Sequence, residues 1–200
     1  MLKNMKTKLE LSIFVIVVAI LIGLRLPLES SDIFILPFLI LVLLRLSYLI
    51  QKRELSLKSE VLNFNNNGQA ILYYGVFTVA AIIFLWFLRN EIMLPAWLKG
   101  HGNAWLWFMP IHILFQEIIF RTYLINRLKV ILNNPWYISI ISAIIFAAVH
   151  FVLPDAQTVA LLTLISGFVW SYLYQKYPNL IYVWFSHYTI DLFINFAFVS

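Results

Sequence analysis

The chain has no cysteine. That removes disulfides, thiolate metal sites and cysteine nucleophiles. Charge is scarce as well: 12% of the residues are Asp, Glu, Lys or Arg, where a soluble domain carries about 25%. What fills the space is apolar, at 62% hydrophobic residues. A soluble chain of 200 residues cannot hide that much apolar surface in one core, so the bilayer is the natural solvent. Also missing are an internal repeat, a low-complexity tail and a polar stretch long enough for a separate soluble domain. The net charge of +5 comes from basic residues at the edges of apolar runs. There it sets membrane orientation, and no basic patch with interleaved aromatics is left to bind nucleic acid.

Apolar runs occupy about 10–25, 33–50, 70–88, 104–126, 136–153, 156–175 and 179–199, each near the length a bilayer needs. Strict alternation is absent, which argues against barrel strands, and only helices or closed barrels satisfy their backbone in lipid. The expected fold is an all-α integral membrane bundle of about seven transmembrane helices. Lys3, Lys6 and Lys8 precede the first run as in a signal peptide. No convincing small-residue cleavage site precedes Leu26-Pro27, so the run reads as a retained helix. Pro110 interrupts the fourth run, which predicts an interfacial segment over 91–109, with Trp97, Trp105 and Trp107 in an interface belt, and a helix starting near Pro110. The longest polar stretch, 51–69, divides the chain into 1–69, two helices and a polar loop, and 70–200, a core carrying the polar residues.

Placing the N-terminus in the cytoplasm puts Lys3, Lys6, Lys8, Lys52, Arg53, Lys58, Arg127, Lys129 and Lys176 inside, and Arg25, Arg89 and Lys99 outside. This is a clear positive-inside bias. Seven spans then leave the C-terminus outside. The simple architecture and the lack of organelle signals point to a prokaryotic cytoplasmic membrane.

Ionisable groups in a bilayer are expensive and so are functional candidates by default. Glu117 and Arg121 lie four apart with the acid first, the favourable order for a helical ion pair; a purely structural salt bridge explains this pair alone. Gln116 lies about 100° around the helix from Glu117 and shares a stripe with His112. His150 closes the run that begins at Phe146, on a helix whose Ser139, Ala143 and Ala147 form a small-residue stripe suited to close helix approach. His187 and Asp191 share a helix face that Asn195 continues. A carboxylate one turn from an imidazole can fix its tautomer or share a ligand with it. Together these residues suggest one wet cavity lined by three helices.

Order and spacing resemble the CAAX-protease and bacteriocin-processing (CPBP, Abi-type) family of intramembrane glutamic endopeptidases. Gln116-Glu117-Ile118-Ile119-Phe120-Arg121 resembles its first motif of two glutamates, three residues and an arginine. Phe146 to His150 resembles F-x-x-x-H, and His187 to Asp191 resembles H-x-x-x-N/D. The resemblance covers roughly 104–199. It implies a polytopic membrane hydrolase in which the first glutamate, as general base, activates a water that attacks a peptide bond. The histidines and the Asn/Asp position orient that water or stabilise the oxyanion. Carried over, Gln116, His150, His187 and Asp191 are the catalytic set. Glu117 and Arg121 are the brace, with Phe146 and Asn195 in support. The family reading is metal-free and needs no cofactor, although two histidines and a carboxylate are also a donor set for zinc. The partners it implies are membrane lipid and a membrane-associated protein or peptide tail.

Gln116 departs from the pattern. A general base must accept a proton near working pH, and an amide does not. Three readings stay open: an introduced Glu-to-Gln change, a natural pseudoprotease, or Glu117 acting as base in its place. Two other function classes compete. One is a non-catalytic binder, such as an immunity or assembly factor. The other is a transporter or proton relay, against which the lack of an inverted repeat or broken-helix pair argues. If the fourth helix starts at Pro110, the site lies in the outer half of the membrane and opens to the extracytoplasmic side.

Overall fold

A computed structural model describes residues 2–24, 28–91, 102–151 and 157–199. Each apolar run falls on a helix: α1 (Leu2–Leu24), α2 (Leu28–Gln51), α3 (Asn67–Leu88), α4 (Gly102–Glu117), α6 (Pro135–His150), α7 (Gln157–Lys176) and α8 (Leu180–Ile194), with a short α5 (Asn126–Ile131) before α6. Among the described residues there is no strand, only an isolated antiparallel bridge between Leu62 and Asn179. Asn67–Leu88, Trp107–Ile131 and Gln157–Lys176 are long and apolar enough to cross a bilayer, and Pro135–His150 is a shorter apolar helix. Helix α3 shows how the bundle faces its solvent. Leu72, Val76, Val79, Ile83 and Phe87 are exposed along it, while Ala70, Tyr74 and Leu85 point inward. Exposed apolar surface on this scale is stable against lipid, not water. The chain is an all-α, polytopic integral membrane protein.

The central rod runs from Gly102 to Ile131. Helix α4 passes through Pro110 without ending. This corrects the expected start at Pro110; the part of the interfacial segment over 92–101, with Trp97 and Lys99, lies outside the described residues, as do Arg25 and Leu26-Pro27, and the side chain of Trp105 is likewise not described. Proline removes one backbone donor, and membrane helices tolerate that when a neighbour re-satisfies the backbone. The acceptor so freed is the carbonyl four residues earlier; separately, the indole N–H of Trp184 on α8 donates to the Pro110 carbonyl at 2.8 Å and ties α4 to α8 at this level. Gln116 therefore lies fourteen residues from the helix start, about 21 Å along the axis at 1.5 Å per residue. The rod then widens into a π-helical stretch, Ile118–Ile125. Every residue from Ile119 to Leu128 is buried, as suits a helix packed on all sides.

The N-terminal helices pack on this rod, Phe14 of α1 lying 5.5 Å from the Tyr123 ring, and one carboxylate joins all three. Glu10 of α1 accepts two hydrogen bonds from Arg45 of α2, at 2.9 and 2.7 Å, and one from the Tyr123 hydroxyl at 2.8 Å. Both charges lie inside apolar runs, and pairing is what makes them tolerable there. The polar stretch after α2 is not a free linker. Leu55 and Val61 are buried, Asn63 N–H donates to the Pro178 carbonyl at 3.0 Å, and Asn179 Nδ2 donates to the Asn63 carbonyl at 3.1 Å. Helix α3 starts at Asn67 behind Asn66, which holds a left-handed φ of 61° of the kind asparagine accepts. The expected 69/70 boundary thus falls in its first turn. At the same end of the bundle, Gln175 Nε2 reaches the Pro135 carbonyl at 3.1 Å and Arg127 approaches Glu54 at 3.9 Å. This end gathers 52–66, 132–134 and 177–179. His150 and Asp191 sit toward the other end, near the C-termini of α6 and α8.

Candidate active site

Glu117 is the centre of the polar cluster and is fully buried. One carboxylate oxygen accepts from His187 Nδ1 at 2.7 Å. The other lies 3.1 Å from Arg121 Nε. That second approach is a charge contact and not an aligned hydrogen bond, since neither atom has a partner in good bonding geometry. The spacing of four residues set up the Arg121 pair; the bond to His187 joins the rod to α8. Because the carboxylate accepts, His187 Nδ1 carries a proton. Its Nε2 faces Asp191 Oδ2 at 3.4 Å, so both ring nitrogens of His187 look at carboxylates.

Arg121 is buried with Glu117. Its Nη1 donates to Ser171 Oγ at 3.0 Å on α7 and to Ser142 Oγ at 3.3 Å on α6, and its guanidinium lies 5.0 Å from the Phe146 ring centre. Phe146 is fully buried and holds the cluster together. Its ring meets Phe120 at 5.0 Å, His150 at 4.9 Å and His187 at 5.9 Å, all edge-on. One turn on, His150 Nδ1 bonds the Phe146 carbonyl at 2.7 Å. A carbonyl only accepts, so Nδ1 carries the proton and the neutral ring presents Nε2 as an acceptor. His150 lies within electrostatic range of His187, Asp191 and His112.

Gln116 points elsewhere than its neighbour. Its Nε2 lies 2.7 Å from His112 Nε2, along the stripe the sequence indicates, and its Oε1 is buried without a hydrogen-bond partner. No direct bond joins Gln116 to His150, His187 or Asp191 among the described residues. Asn195 closes α8, its backbone N–H donating to the Asp191 and Leu192 carbonyls; its side chain makes no hydrogen bond to the cluster among the described residues. Exposure falls along the site. His112 is exposed, Gln116, His150 and Asp191 are half-buried, and His187, Glu117 and Arg121 are buried. The acceptors and donors thus run in a row from exposed His112 to buried Arg121.

Sequence reasoning singled out Gln116, Glu117, Arg121, Phe146, His150, His187 and Asp191. It missed Ser142, Ser171 and Trp170, the last with its ring centre 4.3 Å from that of His187. A lone serine or tryptophan in an apolar run carries no signal of its own. The small-residue stripe did carry one: a Cβ placed on Gly167 of α7 would lie 3.6 Å from the Ala143 backbone, and Ser139, Ala143 and Ala147 are buried. Among the described residues, no group of three or more His, Asp or Glu side chains stands close enough to hold a metal ion.

Residues 103–193, just under half of the chain, match the family model described as Rce1-like, type II CAAX prenyl endopeptidase. No curated protein matches the chain, and no solved structure does.

Proposed function

We propose that the chain, whose residues 103–193 match the Rce1-like CAAX prenyl endopeptidase model, is an intramembrane endopeptidase scaffold whose cleavage step is impaired by Gln116. It receives the tail of a membrane-associated protein or peptide at the exposed end of the row formed by His112, Gln116, His150, His187 and Asp191. Residues 70–200 form this core and 1–69 the attached helix pair and loop. The N-terminus is cytoplasmic and the C-terminus outside, in a prokaryotic cytoplasmic membrane; the distribution of lysine and arginine supports that orientation.

One observation carries the reading. Of two adjacent polar residues on the rod, the carboxylate is spent on Arg121 and His187, while the position with an unpartnered buried oxygen holds an amide. Gln116 Oε1 and His150 Nε2 are neutral acceptors able to hold a water beside the Asp191 carboxylate, and His187 with its proton on Nδ1 is oriented by Glu117. Glu117 cannot serve as base without abandoning a buried arginine, and Asp191 faces His187 Nε2, so no carboxylate stands at the Gln116 position to take the proton of the water. A positioned general base contributes roughly 10²–10⁴ in rate, so its loss slows the step without dismantling the site.

The test compares the Gln116 form with Gln116→Glu in liposomes, on a membrane-anchored peptide with a prenylated C-terminal tail. The Glu form is expected to cut at least about a hundredfold faster. Equal cleavage by both forms overturns the assignment of Gln116. Binding without cleavage by either form makes the protein a peptide binder.

A further inference from the structure

Helix α7 carries none of the three motifs, yet one face of it touches all of them. Gly167, Trp170, Ser171 and Tyr174 follow the i, i+3, i+4, i+7 pattern of a single helix face. Gly167 leaves room for Phe146, whose Cδ1 would sit 2.9 Å from a Cβ there. Ser171 accepts from Arg121. Tyr174 shares a 3.3 Å hydrogen bond with Thr122. Trp170 lies against His187 with 31° between the ring planes.

The tryptophan is itself held in one orientation. It is buried, so its N–H needs an acceptor, and that acceptor is Ser186 Oγ at 2.9 Å. Ser186 Oγ also lies 2.7 Å from Thr78 Oγ1, and Thr78 Oγ1 donates to the Tyr74 carbonyl at 2.8 Å. Each hydroxyl has one proton. Thr78 gives its own to Tyr74, so Ser186 gives its own to Thr78, and the Ser186 oxygen is left to accept the indole N–H. Proton direction is fixed from α8 to α3, and the indole is locked by the residue that precedes His187.

We propose that Trp170 is a positioning residue for His187, its indole clamped by the Thr78–Ser186 hydroxyl pair so that the imidazole keeps its Nδ1 on Glu117 and its Nε2 edge toward Asp191. The two carboxylates attract the ring nitrogens, and the indole face, with the Phe146 edge on the ring as well, fills the space into which the imidazole would otherwise tilt away from them. Helix α3, which precedes the matched domain, takes part in ordering the site through Thr78. The proposal deepens the endopeptidase reading and rests on it for its kinetic arm only.

The test uses the full chain in detergent micelles with ¹⁵N-labelled histidine, His187 being assigned by a His187→Gln variant. Trp170→Leu, Trp170→Phe and Ser186→Ala are compared with the unsubstituted chain, each checked for helical circular dichroism and a single gel-filtration peak. Trp170→Leu is expected to abolish the upfield ring-current shift of the His187 ring protons and to alter its ¹⁵N tautomer pattern. Trp170→Phe restores part of both. Ser186→Ala, which keeps the indole and frees its orientation, moves the same resonances and leaves those of His112 unchanged. Should Trp170→Leu fail to fold, Ser186→Ala and Trp170→Phe decide. Folded variants with His187 resonances unchanged overturn the proposal, whether or not any form cleaves peptide. In the Gln116→Glu background, Trp170→Leu is expected to lower kcat at least tenfold with KM unchanged. Cleavage absent from every form, together with shifted His187 resonances, faults the endopeptidase reading and leaves the positioning role standing.

Discussion

Gln116 and Glu117 are adjacent in the chain and opposite in circumstance. Glu117 is buried between an arginine and a histidine; Gln116 is half-buried, with one amide nitrogen on His112. Breaking a buried ion pair by removing one partner costs about 3–5 kcal/mol, because the survivor keeps its charge without compensation. Glu117→Ala should therefore destabilise the fold by about that amount, with Arg121 losing its counter-charge and His187 its acceptor. Gln116→Ala removes one hydrogen bond at a half-buried site and should stay within about 1 kcal/mol. Thermal unfolding in detergent, followed by helical circular dichroism, reads both. Similar losses for the two variants would mean that Glu117 is not the structural member of the pair.

Helices α6 and α7 form the closest interface in the bundle, and Phe146 is wedged into it. The ring is confined by Phe120, His150, His187 and Arg121, so it has little freedom to retreat from a new methyl group. Gly167→Ala should destabilise by about 1–3 kcal/mol, the usual cost of overpacking a filled site. Gly75→Ala on α3, where a Cβ meets nothing within 4 Å, should be neutral or stabilising by up to about 1 kcal/mol. The two melting temperatures, measured side by side, check the contrast. At α8, Asn179 caps the helix through Ile181 and Tyr182 and also holds the Asn63 carbonyl. Its replacement by Ala should cost about 1–2 kcal/mol, at the upper end of the range for a cap, and make 54–63 more accessible to protease. The same elements show what was legible in the sequence. Spacings of four within a helix carried Glu117–Arg121, Phe146–His150, His187–Asp191 and the Gln116–His112 contact, because the helical period alone brings such pairs together. The Glu117–His187 bond, Trp170 and Ser171 depend on how separate helices rotate and cross, which one sequence does not record. Pro110 misled because the loss of one backbone donor does not end a helix that packs within a membrane bundle. Glu10 and Arg45 were hidden inside apolar runs for a similar reason: each is tolerable only through a partner 35 residues away.

At the scale of the whole molecule, packing fixes which loops share an end, and charge then says which side that end faces. Contacts of 54–63 with Pro178 and Asn179, and of Gln175 with Pro135, put 52–66, 132–134 and 177–179 together. Lys52, Arg53, Lys58, Lys129 and Lys176 cluster at this end, so the positive-inside rule turns it toward the cytoplasm. The chain has no cysteine, so single cysteines can be introduced without a background. Lys58→Cys and Asn133→Cys, both at exposed positions, should react with a membrane-impermeant maleimide only from the cytoplasmic face. Asn90→Cys, beyond the far end of α3, should react only from the opposite face. His112→Cys is the informative fourth position, because exposure along the site rises toward it. Labelling from the same face as Asn90→Cys means that the site opens to the extracytoplasmic side, where His150 and Asp191 lie near their helix ends. If Lys58 and Asn133 positions react from opposite faces, the shared end described above is wrong. If all four invert together, the packing survives and only the orientation read from lysine and arginine falls.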